Sequence, residues 1–175
     1  MESTSSDHPR MVTGVFRDRD SAERAYKSIH DRGYSADDVN VVMSDDTRKK
    51  HFTTGESELG SKALEGAGTG AGIGGTVGAI AGAIAAIGTS LVIPGLGLVV
   101  AGPVAAALAG LGAGGLTGGV IGALVGSGIP EERAKVYEQE VKDGGIVMGV
   151  TPRTEEEARQ LESDWRASKG EHIYY

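Results

Sequence analysis

Residues 66–130 form a run of sixty-five positions without one Asp, Glu, Lys or Arg. The flanks are the opposite. Residues 1–65 carry 10 basic and 13 acidic side chains, and residues 131–175 carry 7 and 11. An uncharged segment of this length cannot stand alone in water, because it would expose an apolar patch far above the few hundred Å² that monomers tolerate. Protein or lipid has to cover it.

Glycine spacing indicates how. Gly66, Gly70, Gly74, Gly78 and Gly82 recur every four residues, and so do Gly110, Gly114, Gly118, Gly122 and Gly126. Residues four apart on an α-helix lie nearly above one another, so each series is a stripe without side chains. An interior glycine costs a helix about 0.5–1 kcal/mol relative to alanine. Two regular series of GxxxG, with Ile, Val, Leu and Ala on the other faces, make sense where the bare stripes let helix backbones approach closely. These ten glycines are the candidate helix-packing residues.

Between the series lies "TSLVIPGLGLVVAGP" (Thr89–Pro103). Pro94–Gly95 is a turn signal, and Gly102–Pro103 can open a second helix. The simplest reading is an antiparallel helical hairpin over 66–129. A bilayer span needs about 20 apolar residues, and both Ala71–Ile93 and Pro103–Ile129 are long enough. Arg48, Lys49, Lys50, Lys62, Arg133 and Lys135 flank the hairpin and would place both ends on the cytoplasmic side. Against insertion, six of the residues in Ala71–Ile93 are glycine and no Trp or Tyr belt marks the edges. The expectation is a hairpin in or at the cytoplasmic membrane with its α/β domain in the cytoplasm. One alternative is a soluble cytoplasmic homo-oligomer, a scaffold or protective protein whose hairpins bury one another, and another is a regulatory module whose α/β domain binds a small ligand or a partner protein.

The charged flanks read as two similar halves. "MVTGVF" (Met11–Phe16) is a strand. "DSAERAYKSIHDRG" follows as a helix capped by Asp20 and Glu23, with Ala22, Ala25, Tyr26 and Ile29 on one face and Gly33 at its end. "VNVVM" (Val39–Met43) is a second strand. In the other half, Gly145–Val150 is a strand, Thr154 and Glu157 cap a helix with Ala158, Leu161 and Trp165 on one face, and "HIYY" (His172–Tyr175) is a last strand. Two βαβ units imply an α+β, ferredoxin-like sandwich, with four antiparallel strands and two helices on one face, carrying the glycine-rich helical hairpin as an insertion. "IPEERAKVYEQEVKDGG" adds a helix from Pro130 that links hairpin to last strands. The expected organisation is a polar tail over 1–10, rather than a secretory signal, a first half-domain over 11–65, the hairpin over 66–129, and the linking helix and second half over 130–175.

The motifs "IPGLG", "AGP", the glycine run, "GIPEERAKVYE" and "GGIVMGV", together with "VTGVFRDRDSAERAYKSIHDRGYSADDVNVV", resemble the bacterial general stress proteins, the heat-induced and low-temperature-induced type. The resemblance spans about Met11–Val150. It implies a bacterial stress-response protein without an established enzymatic activity, and it supplies no catalytic residues. "GEHIYY" falls outside it.

Nothing in the sequence assembles a catalytic centre. There are no cysteines, so disulfides and thiolate metal sites are excluded. The net charge of −7 argues against a nucleic-acid partner. "GAGIGG" and "GLGAGG" fit GxGxxG, but "SKALEGAGT" makes a poor preceding strand, no acidic residue follows until Glu131, and no Gly-Lys-Ser/Thr occurs. His8, His30, His51 and His172 are scattered without ligand spacing. "SDD" (Ser44–Asp46) reads as a polar loop, and "RKKH" (Arg48–His51) as a charge cluster or a contact with anionic headgroups. The chain is therefore expected to use no cofactor and no metal, to have no enzymatic activity, and to take itself, and a lipid bilayer, as partners.

Overall fold

The computed structural model describes residues 10–52, 91–93, 97–110, 119–126 and 128–175. The protein is an α+β fold in which an antiparallel sheet lies between helices on its two faces. The elements run β1 (Val12–Phe16), α1 (Arg19–His30), β2 (Val39–Ser44), α2 (Asp45–Phe52), β3 (Leu91–Ile93), β4 (Leu98–Ala101), α3 (Pro103–Gly110), α4 (Gly119–Gly126), α5 (Glu131–Lys142), β5 (Ile146–Val150), α6 (Glu155–Ala167) and β6 (Glu171–Tyr174).

Among the described residues the sheet has six strands in the order β3-β4-β2-β5-β1-β6. Central β5 pairs antiparallel with β1 (Gly14↔Met148) and with β2 (Val41↔Met148). Strands β1 and β2 are therefore parallel to one another with α1 as their crossover. Likewise β6, antiparallel to β1, is parallel to β5 and reached through α6.

Period-two alternation sorts the strand residues onto two faces. Val12, Phe16, Val41, Met43, Ile146 and Met148 face α1 and α6, where they meet Ala22, Ala25, Ile29, Ala158, Leu161 and Trp165. Trp165 is fully buried and stands edge-on to Phe16, with ring centroids 5.5 Å apart. Val15, Val42, Val100 and Val147 face the other way and pack on α3, α4 and α5 through Val104, Val120, Leu124, Ala134, Tyr137 and Val141. Every residue of β1 and β5 is buried, as strands covered on both faces require.

Several expectations are corrected. The sheet has helices on both faces, not one. The segment 66–129 is not a simple helical hairpin, because Leu91–Ile93 and Leu98–Ala101 are strands. The four-residue glycine repeat lapses in that stretch. Its Leu, Val and Ile suit a pleated, half-buried surface, and β2 offers an unpaired edge that β4 fills from Val41↔Ala101 to Ser44↔Leu98. The helix from Glu131 does more than link, since its Ala134, Tyr137 and Val141 roof the second face. The cap of α1 is Asp18 rather than Asp20. Its carboxylate accepts the N–H of Ser21 at 2.8 Å, which leaves Asp20 as a first-turn acid near the helix's positive end. Thr154 does cap α6 by accepting the N–H of Glu157 at 3.1 Å, but the Glu157 carboxylate turns outward to Tyr34 and to the N–H of Arg153. Residues 44–46 are not a loop: Ser44 ends β2, its Oγ accepting the N–H of Thr47 at 3.0 Å, and Asp45 and Asp46 open α2.

Candidate functional site

The glycine-patterned segment enters the described structure at the turn before α3. Gly102 has φ +94°, a left-handed conformation that favours glycine, and a Cβ added there would lie 2.1 Å from the carbonyl oxygen of Val39. Pro103 then opens α3, where its missing N–H costs nothing. Asn40, 5% exposed on β2, reaches across, and its amide oxygen accepts the N–H of Val104 at 2.8 Å. A buried polar side chain on the strand thus satisfies one of the orphan donors of the helix. The helix start is held to the sheet by hydrogen bond and by backbone contact together.

Helix α4 has two distinct sides. Val120 and Leu124 are buried in the second core, with Ile121 packed at its margin. By helical periodicity Gly122 and Gly126 lie opposite them. A Cβ built at either glycine has nothing within 4 Å among the described residues. Val125 beside them is 41% exposed. Among the described residues, the side of α4 away from the sheet therefore carries no side chain at its centre and meets no neighbour there.

Of the other helix-packing candidates, Gly110 is the last residue of α3. Gly66, Gly70, Gly74, Gly78, Gly82, Gly114 and Gly118, and the turn residues Pro94 and Gly95, lie outside the described residues. Among the described residues no helix is long and apolar enough to cross a membrane. Helices α3 and α4, which fall within the possible span Pro103–Ile129, place Val104, Ala105, Val120 and Leu124 in the core against the sheet.

Past α4 the chain turns at Gly128 (φ +88°), buries Ile129, and starts α5 after Pro130. A half-enclosed cleft of about 350 Å³ opens here, between the entry to β1 (Arg10, Met11, Thr13) and the segment Gly128–Pro130 with Arg133. Beneath it, Tyr137 Oη donates to the carbonyl of His172 at 3.0 Å and sits 2.6 Å from Thr13 Oγ1. With its one proton committed to His172, Tyr137 accepts from Thr13. Burial pushes the Tyr137 phenol up to about 12.

Sequence reading missed a second polar cluster, on the far side of the sheet. Tyr34 Oη donates to Glu157 Oε2 at 2.7 Å and accepts the N–H of Arg153 at 3.0 Å, while the Arg153 guanidinium stacks 4.3 Å over the Tyr34 ring. The hydrogen bond from Tyr34 holds the Glu157 carboxyl below its ordinary value, and desolvation raises that of the Tyr34 phenol. These partners stand more than a hundred positions apart, so no local spacing could reveal them. The cluster ties the exit of α1 to the entry of α6. An open groove of about 420 Å³ beside it, between α1 and α6, is lined by basic and acidic side chains, with Arg32 and Asp164 2.5 Å apart.

His30 and His51 sit on separate helices, and His172 on β6 has Nε2 3.4 Å from Glu140 Oε1. Among the described residues no three His, Cys, Asp or Glu side chains gather as a metal site would require. No family model matches the chain. No curated protein and no solved structure matches it either.

Proposed function

We propose that this chain is a non-enzymatic protein of the bacterial general stress type that associates with copies of itself through its glycine-patterned helices. Its scaffold is ferredoxin-like. The strands β6-β1-β5-β2 with α1 and α6 on one face follow that arrangement, and β3 and β4 extend it at the β2 edge.

The observation that carries self-association is the division of α4. Val120 and Leu124 are used on the sheet, while Gly122 and Gly126 face away from it with no described atom within 4 Å of a Cβ built at either. Glycine lowers helix propensity and contributes no burial of its own. A regular glycine stripe facing away from the core is explained by a helix docking against it. In sequence, Gly110, Gly114 and Gly118 keep the same four-residue spacing, and Gly66 to Gly82 repeat it; among these Gly110 ends α3, a separate helix, and the others lie outside the described residues.

Packing of α3 and α4 on the sheet favours association between protein surfaces, as a homo-oligomeric scaffold in the cytoplasm. A second reading places the assembly in or at the cytoplasmic membrane. It is favoured by the length of the uncharged run over residues 66–130.

Fractionation of the native, untagged protein with a carbonate wash, followed by sizing, tests both. A particle larger than one chain supports self-association. Recovery in the supernatant selects the scaffold reading, and retention in the pellet until detergent is added selects the membrane reading. A monomer in either fraction contradicts the proposal.

A further inference from the structure

The cleft at the N-terminal end of α5 belongs to no part of the self-association reading, and its chemistry is unlike that of the rest of the molecule. The chain carries a net charge of −7, yet the two ionisable residues lining this cleft are both arginine. Neither Arg10 nor Arg133 makes an ion pair among the described residues, while most of the other arginines do. Arg133 rests on an aromatic ring. Its guanidinium carbon lies 4.4 Å over the ring of Tyr174, a cation–π contact that uses the face of the ring and no carboxylate. Helix α5 receives no side-chain cap from Pro130, and its first turn, which carries Glu131 and Glu132 on its exposed side, starts beside the same cleft. The Thr13 hydroxyl is committed to Tyr137, so recognition of charge falls to the two arginines.

We propose that this cleft binds a phosphate group. A carboxylate presents two oxygens in one plane, which a single arginine fork can engage together. A phosphate offers a further oxygen to a second guanidinium and to helix amides. A volume of about 350 Å³ is at the small end of ligand pockets, room for a phosphate and the few atoms attached to it. The phosphate can come from a small phosphate ester or free phosphate, or from the headgroup of an anionic phospholipid. Both sources present the same oxygens.

The test uses the full chain and two variants, Arg10→Gln and Arg133→Gln, which leave every glycine of the two series in place. Inorganic phosphate is titrated by calorimetry at fixed ionic strength against chloride. Flotation with phosphatidylglycerol vesicles, against phosphatidylcholine vesicles, forms the second arm. Saturable phosphate binding weakened about tenfold or more by each variant supports the site and assigns it to free phosphate or a small ester. Flotation with phosphatidylglycerol that both variants abolish supports the site and assigns it to a lipid headgroup. Near-UV circular dichroism from Trp165 verifies the fold of each variant, and the exposed Arg10 supplies the informative substitution if Arg133→Gln disturbs packing on Tyr174. Binding absent from both arms, or unchanged in folded variants, overturns the proposal. Oligomer size is read separately, so this failure and that of the self-association reading are distinguishable.

Discussion

The amide oxygen of Asn40, on β2, accepts the N–H of Val104, in the first turn of α3, at 2.8 Å, and both residues are buried. One side chain thereby fixes where the uncharged segment meets the charged half of the molecule. It also explains a polar residue among the buried Val and Met of β2. Asn40→Ala leaves the Val104 N–H without its partner in a dry site and is expected to destabilise the protein by about 1–3 kcal/mol. Urea denaturation measures this, and a change within experimental error would mean that α3 is not held by this bond.

Gly102 and Gly126 should respond oppositely to the same substitution. Gly102→Ala puts a methyl group against the Val39 carbonyl at a positive φ, so it should cost more than about 1 kcal/mol and lower the melting temperature by several degrees. Gly126→Ala adds a methyl group where no described atom lies within 4 Å, so the stability of the single chain should be unchanged or rise by up to about 1 kcal/mol. Thermal melts of the two variants side by side check the contrast. Equal effects would contradict the placement of α3 under β2.

Tyr34→Phe removes the donor to Glu157 and the acceptor for the Arg153 N–H while keeping the ring under the guanidinium. A loss of about 1–2 kcal/mol is expected. Glu157 should then titrate closer to its ordinary 4.5. Carboxyl chemical shifts followed from acid to neutral pH measure that rise, and an unmoved Glu157 would remove Tyr34 as the cause.

The pH limits follow from the same groups. Glu157 and Asp38 are held low by hydrogen bonds, from Tyr34 and from Ser35 respectively. Their contributions are present above the ordinary carboxyl range and fade as pH falls through the lowered folded values. Tyr137 has the opposite sign. Its folded value, about 12, exceeds the ordinary 10, so its contribution is complete below pH 10 and is lost as pH rises from 10 toward 12. Denaturant midpoints should fall in that alkaline window, and Tyr137→Phe should flatten the fall there.

Much of the scaffold was legible because its signals are local. Ala22, Ala25, Tyr26 and Ile29 at helical spacing, Thr154 as a cap and Gly33 at φ +79° each follow from a few neighbouring residues. The central strands were hidden by context. "LVI" and "LVVA" are short apolar runs that periodicity cannot assign, and only the free edge of β2 makes them strands. Tyr137 on α5 read as part of a linker stripe, because its partners Thr13 and His172 are distant in sequence. Arg10 and Arg133 had no motif to join them for the same reason. The ten glycines announced a packing surface without naming its partner, and of their number Gly122 and Gly126 are the two placed on an open helix face.

Sedimentation velocity of the intact chain beside its Gly122→Leu variant is the most direct test of the central claim, self-association through that face. A Cβ at position 122 has no described atom within 4 Å, so the fold, read from the near-UV signal of Trp165, should persist. The account predicts an oligomer for the parent chain and a marked shift toward monomer for the variant. A variant that sediments with the parent would show that the glycine face of α4 is not where copies of this protein meet.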